Sequence, residues 1–142
     1  KYGFQTSPVK FDRTYRVGSN LDDMHENGLH DWLKYVKFGY GRATDHASKD
    51  VRLGVMNRSD SLDMVRQYDS TLSGDLDRWL AYADISKDLF FMIANSFRSP
   101  DVWSCRSGKW AHPEGMTDNW VPTMNNDVND EMKSLRFRII DN

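Results

Sequence analysis

Leu29-His30-Asp31-Trp32-Leu33-Lys34-Tyr35-Val36 is the stretch on which the fold turns. Its apolar residues Leu29, Trp32, Leu33 and Val36 fall at i, i+3, i+4 and i+7. That spacing lines one face of an α-helix and does not fit the two-residue alternation of a strand. The helix begins near Leu21, is weakened by Gly28, and stops near Gly39. Outward from it, Gly39-Tyr40-Gly41 forms a flexible elbow, because glycine lets another backbone or a ligand come close. A second helix follows, with Thr44 as N-cap, Ala47 and Val51 inward, and Gly54 as the stop. Ser59 or Asp60 caps a third, whose Leu62, Val65 and Tyr68 share a face and which ends near Asp69. Ser73 or Asp75 opens a fourth, in which Leu76, Trp79, Leu80 and Ala83 repeat the same spacing. Ser86 caps a fifth, with Ile85 stapled to Phe90 and a buried stripe of Leu89, Phe90, Ile93, Ala94 and Phe97, closed by Pro100.

These segments predict an all-α fold, an irregular or orthogonal bundle of about five short helices. An extended lead-in covers residues 1–20, with a short strand around Val9 to Phe11. The helical domain covers 21–99, and a loop-rich tail covers 100–142. Within the tail only Leu135-Arg136-Phe137-Arg138-Ile139-Ile140 reads as a strand or a docking segment.

Composition bounds the function. At 142 residues the chain is the size of one ordinary domain. Its 19 Lys and Arg against 21 Asp and Glu leave a formal charge of −2, so no global field draws nucleic acid or an anionic membrane to it, and any anion site must be local. The single Cys105 excludes an internal disulfide and a Cys-rich zinc site, and fits a reducing compartment. No apolar run approaches the ~20 residues of a membrane helix and no signal-peptide pattern is present, so a cytoplasmic protein is expected. The chain opens on Lys1-Tyr2-Gly3-Phe4, which reads as the interior of a longer protein, although a trimmed tag or a processed precursor opens the same way.

The densest polar constellation lies between Asp31 and Arg52. Arg42 and Thr44 stand at the start of the second helix, where unpaired N–H groups and the helix dipole favour an anion. Arg42 can hold phosphate in a fork and Lys37 adds a point charge beside the glycine elbow. The plainer reading makes Asp45 and Lys49 a solvated i, i+4 pair and leaves Arg52 covering apolar surface. His30 follows the charged face as a substrate contact or as a surface histidine. No two of His25, His30, His46 and His112 have the i, i+4 spacing of a zinc helix, so no metal site is expected. Cys105 with His112 makes a poor nucleophile pair. Trp103, Trp110 and Trp120 read as residues that pack the tail down rather than as a sugar platform.

The order His30-Asp31-Trp32-Leu33-Lys34-Tyr35, Lys37-Phe38-Gly39, Arg42-Ala43-Thr44-Asp45, Ala47 and Val51-Arg52 resembles the signature near the C-terminus of bacterial N-acetyl sugar amidotransferases, H-x-W-L-K-[YF]-x-K-F-G, R-A-T-D, A, I-R, then G. Gly54, Arg58 and Met64-Val65-Arg66-Gln67-Tyr68-Asp69 resemble the family's next helix, R-x-x-x-x-x-L-V-K-K-x-D. Phe97-Arg98-Ser99-Pro100-Asp101-Val102-Trp103, with Gly108-Lys109-Trp110, is similar to its closing segment. Upstream, Tyr2-Gly3-Phe4 and Asp22-Asp23 stand where the family has K-x-G-F and an acidic lead-in. The resemblance covers residues 1 to about 113, and nothing from Glu114 on has a counterpart.

The resemblance implies an ATP pyrophosphatase of lipopolysaccharide biosynthesis that turns the N-acetyl group of a nucleotide-linked sugar into an acetamidino group. ATP adenylylates the amide oxygen, ammonia displaces AMP, and pyrophosphate leaves. ATP and Mg²⁺ are then the parent enzyme's cofactors, with none expected on this part, and a glutaminase subunit and a cyclase-like subunit are the partners that deliver ammonia. The family's S-G-G-x-D-S loop and N-terminal cysteine pairs are absent from the chain, so the resemblance implies the C-terminal part of such an enzyme, inactive alone. It carries over His30, Lys37, Arg42, Thr44, Asp45 and Arg52 as contacts for pyrophosphate or the sugar nucleotide. The alternative is a non-enzymatic helical interaction module whose charged face docks a protein.

Overall fold

The computed structural model describes residues 3, 5–6, 8–17, 25–106 and 109–112. Five helices follow one another: α1 Glu26–Phe38, α2 Arg42–Arg52, α3 Arg58–Tyr68, α4 Leu76–Ala83 and α5 Lys87–Ser96. A small antiparallel hairpin, β1 Ser104–Arg106 and β2 Lys109–Ala111, closes the described chain, with Cys105 opposite Trp110. The expected all-α architecture is therefore the observed one. The hairpin was not legible, because two three-residue strands are too short for an alternating pattern. The segment 135–140 lies outside the described residues, as does Trp120.

The core gathers where α1, α4 and α5 meet. Trp32 stacks on Phe90 at 5.9 Å between ring centroids and meets Phe91 edge-on at 5.9 Å, with Leu29, Val36, Leu76, Leu80 and Ala94 around them. Side chains of this size each stabilise by roughly 1.5–3 kcal/mol when fully buried. α2 packs chiefly on α3. Gly28, which weakens α1 on propensity, stands where the helix passes the α3–α4 connection; a Cβ there would lie 2.4 Å from Ser73 Oγ. Close approach outweighs propensity at that position.

Several local expectations are corrected. α5 buries Phe90, Phe91, Ala94 and Asn95, while Ile93 and Phe97, expected inward, are open to solvent. Val51 is exposed as well, leaving Ala43, Ala47 and Asp50 as the inward face of α2. The N-cap of α2 is Gly41 rather than Thr44, and that of α3 is Asn57, whose side chain accepts from Asp60 N–H. Ser86 caps α5 as expected, accepting from Leu89 N–H at 3.2 Å. Trp103 is buried against Tyr35 at 5.2 Å, and the Arg98 guanidinium lies between Trp103 and Trp110, at 4.2 and 5.2 Å from their centroids. The first two tail tryptophans thus pack the hairpin onto the bundle.

Candidate functional site

Three carboxylates organise the polar face where α1 meets α2. Asp31 is 2% exposed, set on the inner side of α1. It accepts from Arg42 Nη2 at 2.9 Å and Nε at 3.2 Å, and from Arg13 Nη1 at 3.3 Å. A buried carboxylate between two guanidiniums is fully compensated in charge. The hydrogen bonds that Arg42 donates to Asp31 hold its guanidinium more firmly protonated, whereas burial works against the charge of Arg13.

Asp69, just past α3, supplies the second anchor. It accepts from Gly41 N–H at 2.8 Å, Thr44 N–H at 3.2 Å and Thr44 Oγ1–H at 2.5 Å. Two of the N–H groups at the start of α2, those of Gly41 and Thr44, are thereby paired with the chain's own carboxylate. This carboxylate lies 25 residues downstream of Thr44.

The third anchor is Asp50, which ties down the lead-in. Tyr15 donates its hydroxyl to Asp50 Oδ2 at 2.5 Å, Arg16 pairs with Oδ1, and Thr14 Oγ1 shares a hydrogen bond with His46 Nδ1 at 2.7 Å. Residues 13–16 therefore lie as a polar strap across α1 and α2. The Tyr15 hydroxyl holds the Asp50 carboxyl below its ordinary range. Burial, helped by Asp50, pushes the Tyr15 phenol up to about 12. Burial, with Arg16 and Arg42 nearby, pushes the His46 imidazole down.

The predicted site residues divide between places. His30, Arg42 and Asp45 come together: His30 Nδ1 lies 3.5 Å from the Asp31 oxygen that Arg42 grips, and Arg42 Nη1 lies 3.9 Å from Asp45 Oδ2. Lys34 joins them through a 2.6 Å pair with Asp45, replacing the expected Asp45–Lys49 pair. With Nε and Nη2 engaged by Asp31, Nη1 of Arg42 faces Asp45, and the neighbouring His30 is 71% exposed. Thr44 sits inside the cap of Asp69. Lys37 lies over the Phe38 ring, 5.0 Å from its centroid, and borders an apolar groove on α5. Arg52 ends the 11-residue α2, roughly 15 Å along the axis from Arg42. Among the described residues no group of three or more His, Cys, Asp and Glu is placed to hold a metal ion. No described helix is long and apolar enough to cross a membrane.

Sequence reasoning missed the anchors. Asp69 carried one signal, the closing aspartate of the L-V-K-K-x-D pattern, but nothing local gave its role. The strap Arg13-Thr14-Tyr15-Arg16 carried only its mixture of basic and hydroxyl-bearing side chains.

No curated protein matches the chain significantly. A family model described as "LPS biosynthesis protein WbpG-like, C-terminal domain" matches residues 6–116, a span that takes in the strap, all five helices and the hairpin. The chain belongs to this family of WbpG-like C-terminal domains of lipopolysaccharide biosynthesis.

Proposed function

We propose that this domain forms the anion-contacting helical part of an ATP-dependent amidotransferase that converts the N-acetyl group of a nucleotide-linked sugar into an acetamidino group. The observation that carries the reading is the Arg42 guanidinium, held in place by Asp31. The buried Asp31 fixes the guanidinium through Nε and Nη2, while Nη1 and Lys34 share Asp45 beside the exposed His30. Such a fixed donor binds a phosphate oxygen without first losing side-chain freedom. The diphosphate of the sugar nucleotide, or the pyrophosphate released, is the ligand of that chemistry. Lys37 and Arg52, away from this cluster, would contact more distant parts of the ligand or none.

ATP and Mg²⁺ do not fit the residues present. The chain contains no Ser-Gly-Gly-x-Asp-Ser run, and the one helix N-terminus rich in site residues is filled by Asp69. The adenylylating chemistry and its metal would belong to the rest of such an enzyme, as would the docking of a glutaminase and a cyclase-like subunit. The second reading, a helical interaction module, is favoured by the same neutralisation: Asp31, Asp45 and Asp69 already pair with much of the charged face.

Titration of the ¹⁵N-labelled chain with a UDP-N-acetyl sugar separates the two. Saturable shifts confined to the 30–45 stretch, weakened about tenfold in Lys34→Gln and His30→Ala, support the sugar-nucleotide reading. Absence of shifts from the folded chain at millimolar ligand favours the interaction module.

A further inference from the structure

From its N-cap onward, α4 carries Asp75, Arg78, Trp79 and Tyr82 at i, i+3, i+4 and i+7. They form a stripe beside the one that Leu76 and Leu80 bury. The start of α1 faces this stripe, and His25 and Glu26 join its four side chains, among the described residues, in lining a recess of about 190 Å³. The recess shares no residue with the Arg42 cluster.

The polar side of the recess is built across 50 residues of sequence. His25 Nδ1 lies 3.1 Å from Asp75 Oδ1, and His25 Nε2 lies 3.3 Å from Arg78 Nη1. Arginine has donors alone, so Nε2 accepts, and the neutral ring carries its proton on Nδ1 and donates it to Asp75. His25 thereby holds a carboxylate and a guanidinium side by side. On the aromatic side, Trp79 is anchored edge-on against Phe90 at 5.6 Å. Tyr82 is 86% exposed, the highest value among the described large hydrophobic residues that face solvent. A ring standing in water at the rim of a recess offers a face for stacking.

The charges select the ligand. Asp75 and Glu26 disfavour an anion, Arg78 disfavours a cation, and no group of three or more His, Cys, Asp and Glu among the described residues is placed for a metal. An uncharged ligand rich in hydroxyls matches both kinds of group, because a hydroxyl donates to a carboxylate and accepts from a guanidinium N–H. The apolar C–H face of a sugar ring matches the open face of Tyr82. The volume falls below the roughly 300–1,000 Å³ of pockets that enclose drug-sized ligands, which limits the occupant to about one ring. We propose that this recess binds one neutral pyranose ring, stacked on Tyr82, with Asp75, Glu26 and Arg78 holding its hydroxyls. The site goes beyond the phosphate reading of Arg42 and does not need it.

The test titrates the full ¹⁵N-labelled chain with the methyl glycosides of glucose and of N-acetylglucosamine, up to tens of millimolar. Saturable shifts at the Trp79 indole N–H and the amides of 75–82 are expected with at least one of them. Affinity falls at least fivefold in Tyr82→Ala and at least tenfold in Asp75→Asn, at unchanged far-UV circular dichroism. Glu26→Gln replaces Asp75→Asn should the latter fail to fold. No shifts with either glycoside, shifts away from the recess, or equal affinity in Tyr82→Ala overturns the proposal. Displacement of the glycoside by excess pyrophosphate overturns it too, assigning the recess to an anion. The UDP-linked form of the bound sugar then separates two sources of the ring. Shifts at the recess alone assign it to a glycan, and added shifts at Lys34 and Arg42 assign it to a sugar nucleotide. The glycosides carry no phosphate, so the recess and the Arg42 contact fail or succeed independently.

Discussion

The Asp31 carboxylate accepts both Nε and Nη2 of Arg42, at 3.2 and 2.9 Å, from a position 2% exposed to solvent, and takes Arg13 on its other side. One buried residue thus fixes the start of α2 against α1 and the strap against both. Asp31→Ala leaves two guanidiniums without their partner and is expected to destabilise the fold by about 3–5 kcal/mol. Asp63→Ala, which removes the exposed pair with Arg66, changes stability by less than about 0.5 kcal/mol. Urea unfolding of the two variants checks the contrast.

Asp69 caps α2 from outside the helix through Gly41 N–H and Thr44 N–H. Asp69→Ala is expected to cost about 2 kcal/mol. Hydrogen exchange would rise first at the amides of Gly41 and Thr44, while the core around Trp32 stays protected. Uniform loss of protection would argue against a local cap.

The strap gives the fold a limited pH window. The folded state holds the His46 imidazole below its ordinary 6.5, so the unfolded chain takes up that proton first and stability falls as pH drops below that value. Asp50, also held low, keeps its contribution until pH falls through the carboxylate range. On the alkaline side the unfolded Tyr15 phenol ionises near 10.0 while the folded one waits until about 12, so stability declines across that interval. Thermal melts should show the acid limb below pH 6.5 flatten in His46→Gln, and the alkaline limb flatten in Tyr15→Phe.

Gly39 and Gly54 both have positive φ, 78° and 69°, but differ in surroundings. A Cβ on Gly54 meets nothing within 4 Å, so Gly54→Ala costs only the backbone strain of about 1–2 kcal/mol. A Cβ on Gly39 collides with Val102 and His112. Gly39→Ala is therefore expected to cost roughly 2–4 kcal/mol and to loosen the hairpin, seen as a change in near-UV circular dichroism from Trp103. Equal costs at the two positions would contradict the contact.

The helices were legible because Leu29, Trp32 and Val36 repeat with helical spacing and because Ser86 and Gly39 mark ends in their own local sequence. The orientation of α5 was not. Phe90, Phe91, Ile93, Ala94 and Phe97 populate two overlapping apolar faces, and periodicity cannot choose between them. At the site, the cluster of His30, Arg42 and Asp45 was visible as a dense charged stretch. Its anchors were not, since Arg13 to Asp31, Thr44 to Asp69 and Tyr15 to Asp50 are contacts across 18, 25 and 35 residues. A short polar strap has no period, and a carboxylate that caps a distant helix leaves no mark beside that helix.

The proposed phosphate contact of Arg42 is tested most directly by calorimetric titration of the chain with pyrophosphate, comparing wild type with Arg42→Lys and Arg52→Gln. Lysine keeps the charge and loses the planar fork. Saturable binding by the wild type, weakened at least tenfold by Arg42→Lys and unchanged by Arg52→Gln, is the expected result. No heat from the folded wild type, or equal affinity in the Arg42→Lys chain, would contradict it.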